Sequence, residues 1–289
     1  MVFRRLQGAA AVLLYAALLS GSPLAAQDDE KKLGWFDSAE VSLFMTSGNA
    51  EAESLALRNT LRRVWEDSVF TLSAGALRAE TSTISRVAFG TPQSFEVRES
   101  SESLLTAENY FLRGRYDREI SETFFWFAGA GWDRNEFAGI ENRMTIFGGV
   151  GNIWFDDETA HFRTDYGLTY TDQEDVIPNP AVSDTFLGVR FSWDYGRQLT
   201  STTTYANVFI LDGNVDETSD YRSDMTNSLA VAMSEKMALQ VSLQWLYDNE
   251  PALGVMPLLT PGQAGIAGTV LAPLDDLDTI LTASLVVNF

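Results

Sequence analysis

Along most of this chain hydrophobic and polar residues alternate with a period of two. Leu239, Val241, Leu243, Trp245 and Tyr247 interleave with Gln240, Ser242 and Gln244, and Leu187, Val189, Phe191, Trp193 and Tyr195 interleave with Gly188, Arg190, Ser192 and Asp194. Successive side chains of a strand point to opposite faces, so each such segment predicts a strand with one apolar and one polar face. About twelve segments of roughly 10 to 15 residues fit, a length suited to tilted membrane strands. They lie near 35–47, 51–64, 68–79, 102–116, 122–134, 142–155, 159–172, 183–195, 199–211, 221–233, 237–248 and 278–289. Helical periodicity competes weakly, because aromatic, β-branched and glycine residues are spread throughout.

The links between these segments fall into two length classes. Short charged links are expected at Glu66-Asp67, 117–121, 156–158, Gly196-Arg197 and 234–236, alternating with longer irregular ones at 80–101, 135–141, 173–182, 212–220 and 249–277. Met45 to Asn49 makes a short first member of the second class. Short turns on one rim and long loops on the other are the habit of outer-membrane barrels, with the turns periplasmic and the loops extracellular. The expected fold is therefore all-β: a transmembrane antiparallel β-barrel of about 12 strands, with apolar series facing lipid and polar series facing the lumen. Trp126, Trp132, Trp154, Trp193 and Trp245 are candidates for aromatic girdles.

The two ends of the chain extend this reading. Leu281, Ala283, Leu285, Val287 and Phe289 share one face of the last segment, while Thr282, Ser284, Val286 and Asn288 share the other. An exposed apolar ladder ending on an aromatic suits a strand that closes a barrel against lipid and engages the barrel-assembly machinery. At the other end, Arg4 and Arg5 precede an apolar run at 9–19 and the small-residue stretch Pro23-Leu24-Ala25-Ala26. This layout predicts a secretory signal at 1–26, too short for a spanning helix. A periplasmic segment at 27–34 and a barrel at 35–289 follow, placed in the cell outer membrane among lipid and lipopolysaccharide.

The formal charge is −20 and becomes −22 once Arg4 and Arg5 leave with the leader. That balance excludes nucleic acid as a partner, because phosphates demand clustered cations. The absence of cysteine excludes disulfides, thiolate metal sites and thiol nucleophiles.

If the alternation is read correctly, Arg58, Arg62, Arg113, Arg115, Arg163, Arg190 and Arg222 point into the lumen with Asp133, His161, Asp165, Asp194 and Asp224. Two states fit these residues equally. Mixed charges can pair across a narrow interior and fill it, or an arginine stripe can line a pore that passes small anionic solutes.

Enzymatic chemistry finds little support. Serine hydrolysis needs a histidine and an orienting acid beside the nucleophile, yet His161 is the chain's single histidine and is expected to face inward near the periplasmic end. Barrel lipases act at the lipid boundary and omptin-like proteases at the outer rim. Gly148-Gly149-Val150-Gly151 lacks the Lys-Ser/Thr of a phosphate loop and suits close packing of strands instead. Acidic groups at 212–220 and 275–278 lack calcium-loop spacing. No catalytic residue, metal or cofactor is expected. A barrel-embedded hydrolase and a soluble secreted β-rich binding domain remain the alternatives.

The opening of the barrel carries a family likeness. Gly34-Trp35-Phe36-Asp37-Ser38-Ala39-Glu40-Val41-Ser42-Leu43, followed by Thr46-Ser47-Gly48-Asn49, resembles the DUF481 family of YdiY-like, salt-induced outer-membrane proteins: a tryptophan-led first strand, a TSGN hairpin and a second strand rich in small polar residues. The likeness implies a non-enzymatic outer-membrane barrel, acting as a narrow small-solute channel or as an envelope component in osmotic stress. Gly48 and Asn49 tolerate positive φ, so the hairpin accounts for the motif without a ligand.

Overall fold

A computed structural model describes residues 33–46, 51–91, 94–179, 183–259 and 266–289. The leader 1–26, the segment 27–32 and the Ser47, Gly48 and Asn49 part of the hairpin motif lie outside the described residues. The described strands are β1 (Gly34–Thr46), β2 (Glu51–Val64), β3 (Ser68–Thr91), β4 (Ser94–Ser121), β5 (Phe124–Asn135), β6 (Ile140–Asp156), β7 (Ala160–Asp175), β8 (Thr185–Gln198), β9 (Thr203–Asn214), β10 (Tyr221–Ala232), β11 (Met237–Asp248), β12 (Leu253–Leu259), β13 (Ile266–Pro273) and β14 (Leu277–Asn288). All except β12 and β13 close into one antiparallel barrel of twelve strands. No helix among the described residues is long and apolar enough to cross a membrane.

Closure is made by β14, which pairs with β11 along eleven residues and with β1 through Ser38↔Asn288 to Val41↔Leu285. The Ser42 hydroxyl donates to the Ala283 carbonyl at 2.8 Å, and Phe289 N–H donates to the Asp37 carbonyl at 2.9 Å. Leu281, Ala283, Leu285 and Phe289 lie exposed on the outer face of this strand, with Val287 half-buried beside them.

The outer wall is an apolar belt. Leu43, Leu57, Leu112, Ile146, Leu168, Leu187, Val189, Leu239, Val241 and Leu281 stand exposed, each between 48 and 66 %, a pattern that water opposes and acyl chains accept. Rings gather at its edges. Trp65, Tyr116 and Trp126 form a chain with centroids 6.3 and 5.5 Å apart near the short turns, and Tyr221 and Tyr247 pair at 5.8 Å near the long loops.

The rims depart from expectation in four places. Residues 80–101 are not an irregular loop: β3 and β4 stay paired to Thr91↔Ser94, far beyond their barrel partners, which end at Ser82 on the β2 side and Tyr110 on the β5 side. A two-stranded ribbon supplies its own backbone hydrogen bonds, so a charged sequence rich in β-branched residues can stand in water as a hairpin. Likewise, 249–277 contains the hairpin β12–β13. The expected turn at 117–121 belongs to β4, because Asp117 points inward to Arg115 and Arg118 reaches Asp67 at 3.0 Å. Gly196 and Arg197 belong to β8, and the true turn is 199–202, where Thr200 Oγ1 accepts from Thr202 and Thr203 N–H. A threonine-rich turn of that kind reads as strand when only β-branching is counted.

Candidate functional site: a partitioned lumen

The inner wall is assembled from a repeated device that no single strand displays. Large inward side chains sit beside inward glycines on the neighbouring strand. Gly75 is the direct partner of Phe111, Gly129 of Phe147, Gly151 of Phe125 and Gly196 of His161, and in each pair the ring fills the space a Cβ on the glycine would need. Phe127 is the direct partner of Gly149 and its ring reaches Gly167, while a Cβ on Gly149 would meet the backbone of Tyr166 and Gly167. Glycine in a strand forgoes side-chain packing, and here the neighbour's ring restores it. Phe125 and Phe127 are almost wholly buried.

Arginines stack on those rings. The guanidinium carbon of Arg115 is 4.2 Å from the centroid of Phe127, and that of Arg190 is 4.6 Å from Phe147. Planar guanidinium on an aromatic face contributes about 0.5–2 kcal/mol, more when desolvated. From this platform Arg115 makes a fork of hydrogen bonds to Asp117, at 2.6 to 3.0 Å, and donates through Nη1 to Asp165 Oδ2 at 2.6 Å. Ser192 donates to the same Asp165 oxygen at 3.1 Å. Asp165 lies three strands away around the twelve-strand barrel, so this bridge crosses a quarter of the wall, past the glycines of β5 and β6.

The twelve charged residues expected in the lumen are found as follows. Arg113 donates to Asp133 at 2.6 Å, Arg190 to Asp212 at 2.7 Å through both Nε and Nη2, and Arg222 to Gln173 and Asp220. Arg163 and His161 both approach Asp194, at 3.4 and 3.3 Å. Asp224 accepts from Gln244 at 2.8 Å. Arg58 and Arg62 line the interior without a carboxylate within 4.0 Å among the described residues. The alternation gave no sign of Asp117, Gln173, Asp212 or Gln244 as partners, since pairing depends on register between strands.

Two chambers result. One, of about 240 Å³, lies toward the short turns, and the other, of about 390 Å³, toward the long loops. Thr71 and Ser73 are the described residues lining both. At the level of the Arg115–Asp165 ion pair, the waist, Arg113 and Arg115 line the larger chamber and Phe111 the smaller, while Asp165 and Phe127 line neither. The described lining of the two chambers holds eight arginines against thirteen carboxylates, five of these around the smaller chamber and eight around the larger. Ion pairs hold Arg113, Arg115, Arg163, Arg190 and Arg222, and Asp275, Asp276 and Asp278 add carboxylates at the loop end.

The larger chamber is roofed. The base of the β12–β13 hairpin brings Ala252 and Leu274 against Gly139, at the turn between β5 and β6 on the opposite side of the barrel. Gly139 has φ +78°, a left-handed conformation in which glycine is unstrained. Neighbouring loops lock onto this roof: Val176 N–H donates to the Gly139 carbonyl at 2.9 Å, Asn249 Nδ2 to the Ser219 carbonyl at 2.8 Å, and Ser219 Oγ to Glu250 at 2.5 Å.

His161 is hydrogen-bonded to Asp194 and packed over Gly196, and no serine among the described residues is hydrogen-bonded to it. No cluster of three or more metal-ligating side chains is found among the described residues.

An apolar belt outside, a polar and ion-paired lumen inside and a closed sheet define a β-barrel of the membrane-spanning class. The chain matches the family described as "Protein of unknown function, DUF481" over residues 39–257 and belongs to it. No curated protein matches. Among solved structures it is similar to the NanC porin (10% identity, TM-score 0.43, covering 88% of this chain and 97% of that one). It is also similar to the KdgM porin (8%, 0.40, 88% and 99%) and to an anion-selective porin from Comamonas acidovorans (9%, 0.39, 89% and 99%). At these identities and scores nothing about solute or selectivity passes from those proteins to this one.

Proposed function

We propose that this protein is a non-enzymatic barrel of the outer membrane that acts as a narrow channel for small solutes, nearly closed at its waist and favouring cations. The observation that carries the reading is a polar lumen holding two chambers, one toward each rim, with the Arg115–Asp165 ion pair reaching across part of the interior. A barrel built only as a membrane anchor has no need of polar chambers on both sides of a side-chain layer. A lumen with more carboxylates than arginines concentrates cations and repels anions through its summed field. The apolar belt supports residence among lipid and lipopolysaccharide, short turns on the periplasmic side. The outward ladder Leu281, Ala283 and Leu285 ending at Phe289 is the segment that the assembly machinery would engage.

The test is conductance of the mature chain refolded into planar lipid bilayers, with the reversal potential taken under a salt gradient. Small discrete steps with a cation-selective potential support the reading. A folded barrel that stays silent at all voltages points to a structural role in the envelope, and anion selectivity removes the charge argument.

A further inference from the structure

One arginine of the outer wall stands between aromatic rings with no carboxylate to answer it. Arg58, Thr60 and Arg62 of β2 line the lumen, so Leu55, Leu57, Asn59, Leu61 and Arg63 face outward, continued by Trp65 beside the short turn at Glu66-Asp67. An arginine turned to hydrocarbon is costly at mid-depth and nearly free at the interface. Arg63 lies three residues before the turn and next to the aromatic chain of Trp65, Tyr116 and Trp126, a position that in a bilayer is headgroup depth.

Two indole rings hold its guanidinium. The central carbon is 5.4 Å from the centroid of Trp35, the direct cross-strand partner of Arg63, and 5.5 Å from that of Trp65, and both rings are exposed. Such contacts use the plane of the group and none of its five N–H donors. Those donors meet no carboxylate within 4.0 Å and no hydrogen-bond acceptor among the described residues; Asp37, on the same outward face, accepts from Asn59 Nδ2 at 2.7 Å instead. The other outward arginines of the barrel differ. Arg78 is paired with Glu80, Arg118 with Asp67 and Arg134 with Glu136, while Arg197, beside the turn at 199–202, has neither ring nor carboxylate against it among the described residues.

We propose that Arg63, Trp35 and Trp65 form a headgroup site for the phosphodiester of a phospholipid in the leaflet on the short-turn side. The partner of this guanidinium has to accept hydrogen bonds, carry negative charge and lie at that depth. A phosphodiester meets all three conditions, because its two anionic oxygens match the guanidinium fork. The indoles, apolar in body and polar at one edge, suit the glycerol and first methylenes beside it. The apolar belt begins directly above, with Leu55 and Leu57 exposed on the same face of β2, so the chains of the bound lipid have a surface to follow. The proposal rests on residence of the barrel in a bilayer and is independent of conduction through the lumen.

The experiment is native mass spectrometry of the full barrel released from detergent micelles, titrated separately with palmitoyl-oleoyl phosphatidylglycerol, with dioleoylglycerol, which lacks the phosphate, and with inorganic phosphate. Retention of phosphatidylglycerol well above dioleoylglycerol is expected. Arg63→Gln should weaken the tightest phosphatidylglycerol roughly tenfold or more, the worth of a hydrogen bond to a charged group. Trp35→Leu should weaken it roughly two- to fivefold through loss of one ring contact. Arg118→Gln, at an arginine that has its own carboxylate, should leave it unchanged, and heat-dependent gel mobility reports that each variant is folded. Arg63→Gln binding as tightly as the unaltered barrel, or equal retention of dioleoylglycerol, overturns the proposal. Inorganic phosphate held as tightly as the lipid assigns the site to free phosphate and overturns it too. Flotation with dioleoylphosphatidylcholine vesicles separates this site from the reading it rests on: a barrel that floats but retains no phosphatidylglycerol keeps its membrane and loses the site, and one that does not float loses both.

Discussion

Phe111 on β4 and Gly75 on β3 are direct cross-strand partners, and the phenyl ring fills the space a Cβ on residue 75 would occupy. Gly75→Leu should therefore force the ring out of its seat at a cost of about 1–3 kcal/mol from overpacking. Phe111→Ala should cost about 3–5 kcal/mol from the cavity it leaves. Because the two share one volume, Gly75→Leu combined with Phe111→Ala should be less destabilised than the sum of the singles. Urea unfolding of the barrel in lipid vesicles measures all three, and strict additivity would show that the ring and the glycine do not share that space.

Arg115 holds two carboxylates at the waist. Arg115→Met keeps length and volume but leaves Asp117 and Asp165 without their cation, a loss of about 3–5 kcal/mol by the usual cost of breaking a buried ion pair. The same change removes the bridge across the interior, so single-channel conductance should rise. Stability falling with conductance unchanged would show that the constriction lies elsewhere.

The roof over the larger chamber is a separate obstacle. Replacing 253–273 by a short glycine-serine link removes β12 and β13 without touching the barrel strands β11 and β14. Conductance should increase while the thermal midpoint of the barrel, read by circular dichroism, stays within a few degrees. A collapse of the midpoint would assign the hairpin to folding instead.

One turn reports on acid. Thr159 N–H and Oγ1 and Ala160 N–H all donate to Asp157 Oδ1, at 2.8, 2.8 and 3.0 Å, and these bonds hold its carboxyl below the usual carboxylate range. A lowered folded value means the stabilisation is fully present above the unfolded value of about 3.9 and disappears as pH falls through the folded one. The Thr159 amide resonance in micelles should thus be constant from neutral pH down to about pH 4 and move only below it. Movement with a midpoint above about pH 4 contradicts the hydrogen-bonding described.

Much of this architecture is readable one strand at a time, because alternation is a property of a strand alone. It gives the interior face of β8 through Arg190, Ser192 and Asp194, and the exterior face of β11 through Leu239, Val241 and Leu243. What escapes is whatever depends on two strands at once. Phe127 looks like any aromatic in a strand until Gly149 and Gly167 are known to lie beside it. Arg115 looks like a free lumen cation until register brings Asp165 within reach. The β3–β4 hairpin was hidden for another reason: Glu80, Arg86, Glu96 and Arg98 give it the composition of a loop, while its strand character comes from the partner it pairs with rather than from burial.

The length of that hairpin reaches further than the rim. β3 has 24 residues and β4 has 28, while crossing the hydrocarbon layer takes only about 9 to 11. A bulge between Ala79 and Glu80 lies just below the level where β3 parts from β2 at Ser82, and Arg113 and Arg115 sit lower on the same β4. Mast and constriction are thus one uninterrupted rod of polypeptide, and a load applied at the tip meets no loop to absorb it on the way to the two waist arginines.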